Sequence, residues 1–198
     1  RKLENNKNLE LNDFQLKNLS MAIIAANLCN ISYKKIFKTI HKIKRVNGRL
    51  ELVKTYSNNI KIFIDFAHTP DALLKAIDAL KKSYNTNISL VFGCGGERDI
   101  KKRSLMGKIA SANCKKIYVT DDNPRNEKPE KIRREILKQI KNDNYFNIGN
   151  RSKAIKTAIM NAEPGEVILV AGKGHETDQI YKNKVLKISD KQIIKKIN

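Results

Sequence analysis

The sequence lacks the features that mark membrane-spanning and secreted proteins. No apolar run in its 198 residues approaches the roughly 20 residues that a transmembrane helix needs. The N-terminal stretch RKLENNKNLELNDF has no apolar core of a signal peptide. The three cysteines are widely spaced, form no CxxC pair and have no histidine at zinc-like spacing. We therefore expect a cytoplasmic protein with reduced thiols, no membrane partner and no metal site within this chain.

Acidic residues are also scarce, since 20 Asp and Glu accompany 40 Lys and Arg and leave a net charge of +20. Such an excess is typical of proteins that bind nucleic acid. However, 31 of the basic residues are lysines that are spread along the chain. They show no aromatic interleaving and match no nucleic-acid module. We therefore expect no nucleic-acid partner, and a basic nucleic-acid-binding or nucleotide-sensing module is the alternative from another functional class.

The hydrophobic pattern divides the chain near Gly48. Residues 14–30 and 32–44 carry apolar residues at helical spacing and predict two helices. Beyond Gly48, strands alternate with helices, which predicts an α/β fold with a doubly wound, mostly parallel sheet. We place one domain over 49–198 and assign 1–48 to the end of a preceding domain. The predicted strands are 61–66, 87–93, 114–120 and 166–172, with a short strand near 185–189, and the predicted helices are 70–83, 103–111, 130–142 and 153–162.

Polar motifs follow the four main predicted strands: AHTPD, GCGGERD, DDNPR and GKGHE. Because ligands of parallel sheets bind beyond the carboxyl ends of the strands, we expect these motifs to line one edge. The guanidinium groups of Arg98 and Arg125 suit carboxylates, and Pro124 stiffens the loop that carries Arg125. Asp122 and Glu176 suit ammonium groups. The sequence therefore predicts a zwitterionic ligand, such as an amino acid that is charged at both ends.

Each motif also has a purely structural interpretation. Thr69 can cap the helix that begins at Pro70, glycines make turns without ligands, and Asp-Asn pairs are common in ordinary turns. The full GxGxxG spacing and the P-loop are both absent from the sequence. Capping does not explain Asp65, because an unpaired carboxylate at the end of an apolar strand is costly. We therefore expect a functional role for Asp65 or His68.

Four longer segments carry these motifs: DFAHTPDALLKAIDAL, VFGCGGERDIKKRSLMGKIA, YVTDDNPRNEKP and VAGKGHETDQI. In order and spacing they resemble the C-terminal domain of the ATP-dependent Mur ligases. The segment NGRLE resembles that family's junction between central and C-terminal domains, so 1–48 would be the end of a central domain. In this family the sequence DNPR, here 122–125, is associated with members that add meso-diaminopimelate. Lysine-adding relatives depart from it.

The resemblance implies an enzyme with a Rossmann-like domain that joins meso-diaminopimelate to UDP-N-acetylmuramoyl-L-alanyl-D-glutamate in peptidoglycan synthesis, with ATP and Mg2+ as cofactors. It implies no catalytic residue within this chain. Because the resemblance leaves out the N-terminal and central domains, we expect this piece to be inactive without them. A lysine-adding, other Mur-type or folylpolyglutamate-type ligase is the alternative. The implied diaminopimelate contacts are Arg98, Asp122, Asn123, Pro124, Arg125, Gly172 and Glu176, and the implied ATP-facing residues are Asn18, Arg49, Asp65 and His68.

Overall fold

A computed structural model describes residues 13–44, 46–141 and 143–197, with side chains from Gln15 onward. The chain divides into two compact units, Arg1–Val46 and Asn47–Asn198. Among the described residues, no helix is both long and apolar enough to cross a bilayer.

The first unit contains the two helices that the sequence predicts. Helix α1 spans Asp13–Leu28 and helix α2 spans Tyr33–Thr39, followed by a 3-10 turn at Ile40–Lys42. The Ser32 side chain accepts a hydrogen bond from the Lys35 amide and caps α2. The second helix is shorter than predicted because its last turn tightens into the 3-10 form, as helix ends often do.

The second unit contains a six-stranded sheet and a separate hairpin. The sheet strands are β1 (Glu51–Thr55), β2 (Lys61–Asp65), β3 (Ile88–Phe92), β4 (Lys116–Val119), β5 (Tyr145–Asn147) and β6 (Val167–Ala171). Their spatial order is β1-β2-β6-β3-β4-β5. Strand β1 is antiparallel to β2, and all other neighbours are parallel. The hairpin consists of β7 (Asp178–Tyr181) and β8 (Lys184–Lys187).

Helices cover both faces of this sheet. They are α3 (Pro70–Tyr84), α4 (Lys101–Asn113), α5 (Pro129–Leu137), α6 (Arg151–Met160) and α7 (Asp190–Lys196). On one face Ile155 of α6 and Ile194 of α7 pack in a cluster with Ile62 and Ile168 of the sheet. Helix α3 packs against β3 and β6, and helix α5 packs against β4. Neither helix contributes a residue to the cluster that contains Ile155 and Ile194. Because successive side chains of a strand point to opposite faces of the sheet, α3 and α5 cover the face opposite to α6 and α7.

The two central strands explain why the sequence pattern was informative. Every residue of β3 and of β6 is buried, as expected for parallel strands that are covered on both sides. Helix α3 begins as predicted, with Thr69 accepting a hydrogen bond from the Ala72 amide at 3.3 Å and Pro70 in the first turn. The predicted α/β class with a mostly parallel, doubly wound sheet is therefore confirmed. The sequence prediction missed β1, β5, β7 and α7.

Candidate functional site

The four polar motifs meet at one edge of the sheet. They follow β2, β6, β3 and β4, which are adjacent and parallel, so all four loops leave the sheet at its carboxyl edge. A cavity of about 590 Å³ lies there and is lined by residues of all four motifs. Of the predicted site residues, those that line it are His68, Arg98, Asp122, Asn123, Arg125, Gly172 and Glu176.

The glycine-rich turn and the DDNPR loop are joined by backbone contacts. The Gly96 amide donates to the Asn123 carbonyl at 2.9 Å. A Cβ at Gly96 would lie only 1.9 Å from the Pro124 carbonyl oxygen, so the two loops approach closely only because this residue is glycine. Pro124 therefore packs against the neighbouring turn and is not among the residues that line the cavity.

Arg125 is held in an uncommon backbone conformation. Its φ angle is +53°, in the left-handed region that few non-glycine residues adopt. The conformation is fixed because the Arg125 amide donates to the Ile180 carbonyl at 2.9 Å. On the side chain, Nη1 donates to the Gly96 carbonyl at 2.9 Å and to the Asn123 carbonyl at 3.3 Å. Within the described part of the chain Nε and Nη2 have no acceptor, which leaves one side of the guanidinium open to a carboxylate.

Asp122, which lies against Gly172, offers the cavity a negative charge where Arg125 offers a positive one. Gly172 has φ +110°, and a Cβ there would lie 2.8 Å from Asp122 Oδ2. A glycine is thus required where the β6 turn passes the carboxylate. Although Asp122 is buried, none of the described residues donates a hydrogen bond to its carboxylate. The buried Arg151 guanidinium interacts with this carboxylate electrostatically, and a ligand ammonium group would supply a hydrogen-bonded partner.

Charges of both signs line the cavity in equal number. The cations are Arg98, Lys102 and Arg125, and the anions are Asp99, Asp122 and Glu176. Lys102 was not predicted as a site residue, and its Nζ donates to the His68 carbonyl at 3.0 Å. The sequence feature that could have indicated Lys102 is its position in the helix directly after the glycine-rich turn. The balance of charge suits a zwitterionic molecule.

Cys94 also lines the cavity but offers little nucleophilic chemistry. It is 3% exposed, and burial raises the pKa of its thiol to about 12. The thiol therefore stays protonated near neutral pH, and only a thiolate is a good nucleophile. The cavity is built for binding charged groups and not for covalent attack by this sulfur.

The buried carboxylate of Asp65 has backbone partners. Its Oδ2 accepts from the Leu50 amide at 2.6 Å, and its Oδ1 accepts from the Ala67 amide at 2.7 Å. Burial raises the pKa of Asp65, and the two backbone hydrogen bonds and the charge of Arg49 oppose that rise. Asp65 therefore ties the segment at Leu50 to the turn after β2.

Two of the other residues expected to face ATP, Arg49 and His68, contact the Phe66 ring next to Asp65. Arg49 is exposed, with its guanidinium carbon 4.8 Å from the centroid of the Phe66 ring. His68 belongs to the lining of the cavity, and its Nδ1 lies 2.8 Å from the Phe66 carbonyl oxygen. Asn18 is exposed on α1 of the first unit. No three His, Cys, Asp or Glu side chains in the described ranges are grouped so as to hold a metal ion.

Comparison with known proteins identifies the family of this α/β domain. A family model described as "Mur ligase, glutamate ligase domain" matches residues 48–174. The chain belongs to this family.

Individual relatives are consistent with that assignment. The UDP-N-acetylmuramoyl-L-alanyl-D-glutamate--2,6-diaminopimelate ligase of Rickettsia montanensis is 43% identical over 188 residues, which are 94% of this chain and 38% of that protein. A solved structure of a ligase with the same name is 32% identical, with a TM-score of 0.71 over 93% of this chain and 38% of the other. The chain thus spans well under half the length of these relatives.

A more distant structure shares the fold alone. The bifunctional folylpolyglutamate synthase/dihydrofolate synthase of Yersinia pestis, solved with AMPPNP and a Mn ion, is 17% identical with a TM-score of 0.55. That alignment covers 72% of this chain and 32% of the synthase.

Proposed function

We propose that this chain is the amino-acid-binding part of a cytoplasmic, ATP-dependent ligase of peptidoglycan synthesis. The complete enzyme would add meso-diaminopimelate to UDP-N-acetylmuramoyl-L-alanyl-D-glutamate. The observation that carries the proposal is the cavity with three cationic and three anionic side chains. meso-Diaminopimelate carries one ammonium and one carboxylate at each end, so it can pair with side chains of both charges. The names of the relatives support the same substrate.

The roles that we propose for the cavity side chains follow from which of their charged groups have no hydrogen-bond partner among the described residues. Arg125 directs Nε and Nη2 away from its own backbone contacts and would bind a carboxylate in the paired geometry that a guanidinium allows. Arg98 is exposed at the cavity and would bind the same class of group. Asp122 and Glu176 would bind ammonium. These contacts would orient the substrate, which is the main contribution that a binding domain makes to amide formation.

ATP would supply the phosphoryl group that activates the glutamate side-chain carboxylate, and the amine of bound diaminopimelate would then displace phosphate to form the amide. Arg49 is an exposed cation that could stabilise phosphate charge. The described carboxylates do not fit a Mg2+ site, because Asp65 is engaged by backbone amides and no cluster of ligands is present among the described residues. No step of the proposal therefore depends on Mg2+ held by this chain. The remaining domains of the enzyme would close on the cavity to complete the site.

The test is a phosphate-release assay on the complete ligase that contains this chain. Arg125→Lys retains the charge but loses the paired donor geometry, so we expect the diaminopimelate KM to rise about 10- to 100-fold, which corresponds to a charged hydrogen bond of about 1.5–3 kcal/mol. The ATP KM should change by less than about twofold. Arg134→Lys, on the exposed side of α5, is the matched control and should leave both constants unchanged.

Amino-acid selectivity decides between this proposal and its alternatives. We expect meso-diaminopimelate to drive phosphate release and L-lysine to be a poor substrate. Release that depends on L-lysine or glutamate, with no response to diaminopimelate, would contradict the proposal. Tight binding of RNA or DNA that persists at about 150 mM salt would favour a nucleic-acid-binding function, because contacts from scattered lysines are largely screened at that ionic strength.

A further inference from the structure

Lys173 is a buried cation for which the GKGHE motif suggests no role. Its side chain is fully buried between Gly172 and Gly174. An ammonium group in such a place is costly unless it is fully paired. Its Nζ lies 3.3 Å from Asn123 Oδ1 and 3.3 Å from Glu176 Oε2, and it also donates to the Asp178 carbonyl. These three acceptors match the three N–H bonds of a lysine.

Lys173 and the Ile180 amide together determine which way the Asn123 amide points. Asn123 Oδ1 accepts from Lys173 Nζ and also from the Ile180 amide at 2.9 Å. Both of these groups can only donate, so the amide nitrogen cannot occupy that position. The Nδ2 group must therefore point the other way, toward the cavity that Asn123 lines, where it lies 3.5 Å from Glu176 Oε2. Asn123 consequently presents a hydrogen-bond donor to a ligand.

The same lysine constrains Glu176. The Glu176 side chain is 38% exposed, so nothing in its own burial would hold it in one orientation. Its Oε2 contacts Lys173 and Asn123, whereas Oε1 has no donor among the residues that the structure describes. One oxygen is thus turned toward the protein and the other remains available. Glu176 consequently presents an acceptor on the same wall of the cavity.

We propose that Lys173 is a positioning residue that sets the donor and acceptor pattern of the amino-acid cavity through Asn123 and Glu176. The proposal rests on the function proposed above. Lys173 does not line the cavity, so it acts without touching the ligand. With Lys173 in place, the wall offers an amide donor to a carboxylate beside a carboxylate acceptor for an ammonium group. Without it, Asn123 Oδ1 keeps only the Ile180 amide as a donor, and Glu176 loses its cationic partner and can turn into solvent.

The experiment uses the complete ligase and measures kcat and the KM values of ATP and diaminopimelate. Lys173→Met is expected to raise the diaminopimelate KM at least about tenfold, with kcat and the ATP KM changed by less than about threefold. Lys173→Arg, which retains a buried donor, should recover part of this loss. The matched control is Lys116→Met, because Lys116 pairs with Glu163 and Glu166 next to the amino-terminal end of β4. It should leave the diaminopimelate KM unchanged.

The outcomes separate this proposal from the function on which it rests. If diaminopimelate does not drive phosphate release in the wild-type enzyme, the proposed function is wrong. If it does, but Lys173→Met leaves its KM unchanged, only the role of Lys173 is overturned. If Lys173→Met does not fold, Lys173→Gln decides, since it keeps a polar side chain at the buried position but loses the charge and the reach that hold Asn123 and Glu176. A rise in KM of at least about tenfold would support the proposal, and an unchanged KM would overturn it.

Discussion

Replacing Asp190 by alanine removes one half of a fully buried ion pair. Both side chains of the Arg151–Asp190 pair have no exposed surface. Arg151 Nε donates to Oδ1 at 2.8 Å, and Nη2 donates to Oδ2 at 2.7 Å and to the Ala171 carbonyl at 3.0 Å. The Nη1 atom is buried and has no hydrogen-bond partner. Asp190→Ala therefore leaves a buried guanidinium with a single acceptor.

The size of the effect follows from this loss of partners. Removing one member of a buried pair costs about 3–5 kcal/mol, because the remaining charge stays out of water without its hydrogen-bonded partner. The charges of Asp122 and Glu176 still act on Arg151 and offset part of that loss. At about 2–4 °C per kcal/mol for a domain of this size, the melting temperature should fall by about 6–20 °C. The pair also joins the start of α6, the end of β6 and the start of α7. A loss near the upper end of the range is expected if these elements separate together.

Urea unfolding followed by circular dichroism measures the change. Asp71→Ala is the control, since Asp71 pairs with Lys75 on the surface of α3 with both side chains more than half exposed. Exposed pairs contribute about 0–1 kcal/mol, so this variant should lose no more than that. If Asp190→Ala lost less than about 1 kcal/mol, the reasoning about burial and pairing would be refuted.

Two other substitutions and one labelling experiment test separate parts of the structure. Gly172→Ala places a methyl group 2.8 Å from Asp122 Oδ2 at φ +110°, so it should cost about 1–3 kcal/mol in urea unfolding and raise the diaminopimelate KM; unchanged values would show that the turn relaxes. The Arg103 guanidinium lowers the pKa of Glu127 from 4.5 to about 2, so the stability it contributes is present above pH 4.5 and is lost as the pH falls toward 2. In Glu127→Gln the free energy of unfolding should fall less between pH 4.5 and 2 than in the wild-type protein. An equal fall in both proteins would contradict the pairing. Cys29 is the exposed thiol, so Ellman's reagent should modify one cysteine in the folded protein and three after unfolding.

The fold was predictable where local pattern and burial coincide. β6 lies within a continuous apolar run and β3 within one interrupted only by Ser89, which is the pattern of parallel strands covered on both faces. β5 was missed because it spans only three residues, Tyr145–Asn147, which is too short for a strand pattern to be recognised. It is a strand only because it pairs with β4, which lies far from it in sequence. Pairing of this kind depends on the assembled sheet and leaves little trace in the local sequence.

In the candidate site, too, some features were predictable from the local sequence and others depended on the folded structure. The sequence placed polar motifs at strand ends and so predicted that they share an edge. It could not show that Lys173 contacts Asn123, 50 residues earlier, or that Arg151 pairs with Asp190, 39 residues later. Nor could it show that Asp65 is satisfied by backbone amides on both oxygens. Each of these contacts depends on distances between separate elements.

By itself, the sequence determined the α/β class, the four strand ends that carry polar residues and the mixture of charges among them. These features depend on hydrophobic periodicity and on residue chemistry, which act over a few neighbouring positions. Only the tertiary structure decided the strand order, in which β6 lies between β2 and β3. That order brings the GKGHE turn beside the DDNPR loop and encloses the cavity. Strand order is chosen by the packing of both sheet faces at once, and no short segment of the chain contains that information.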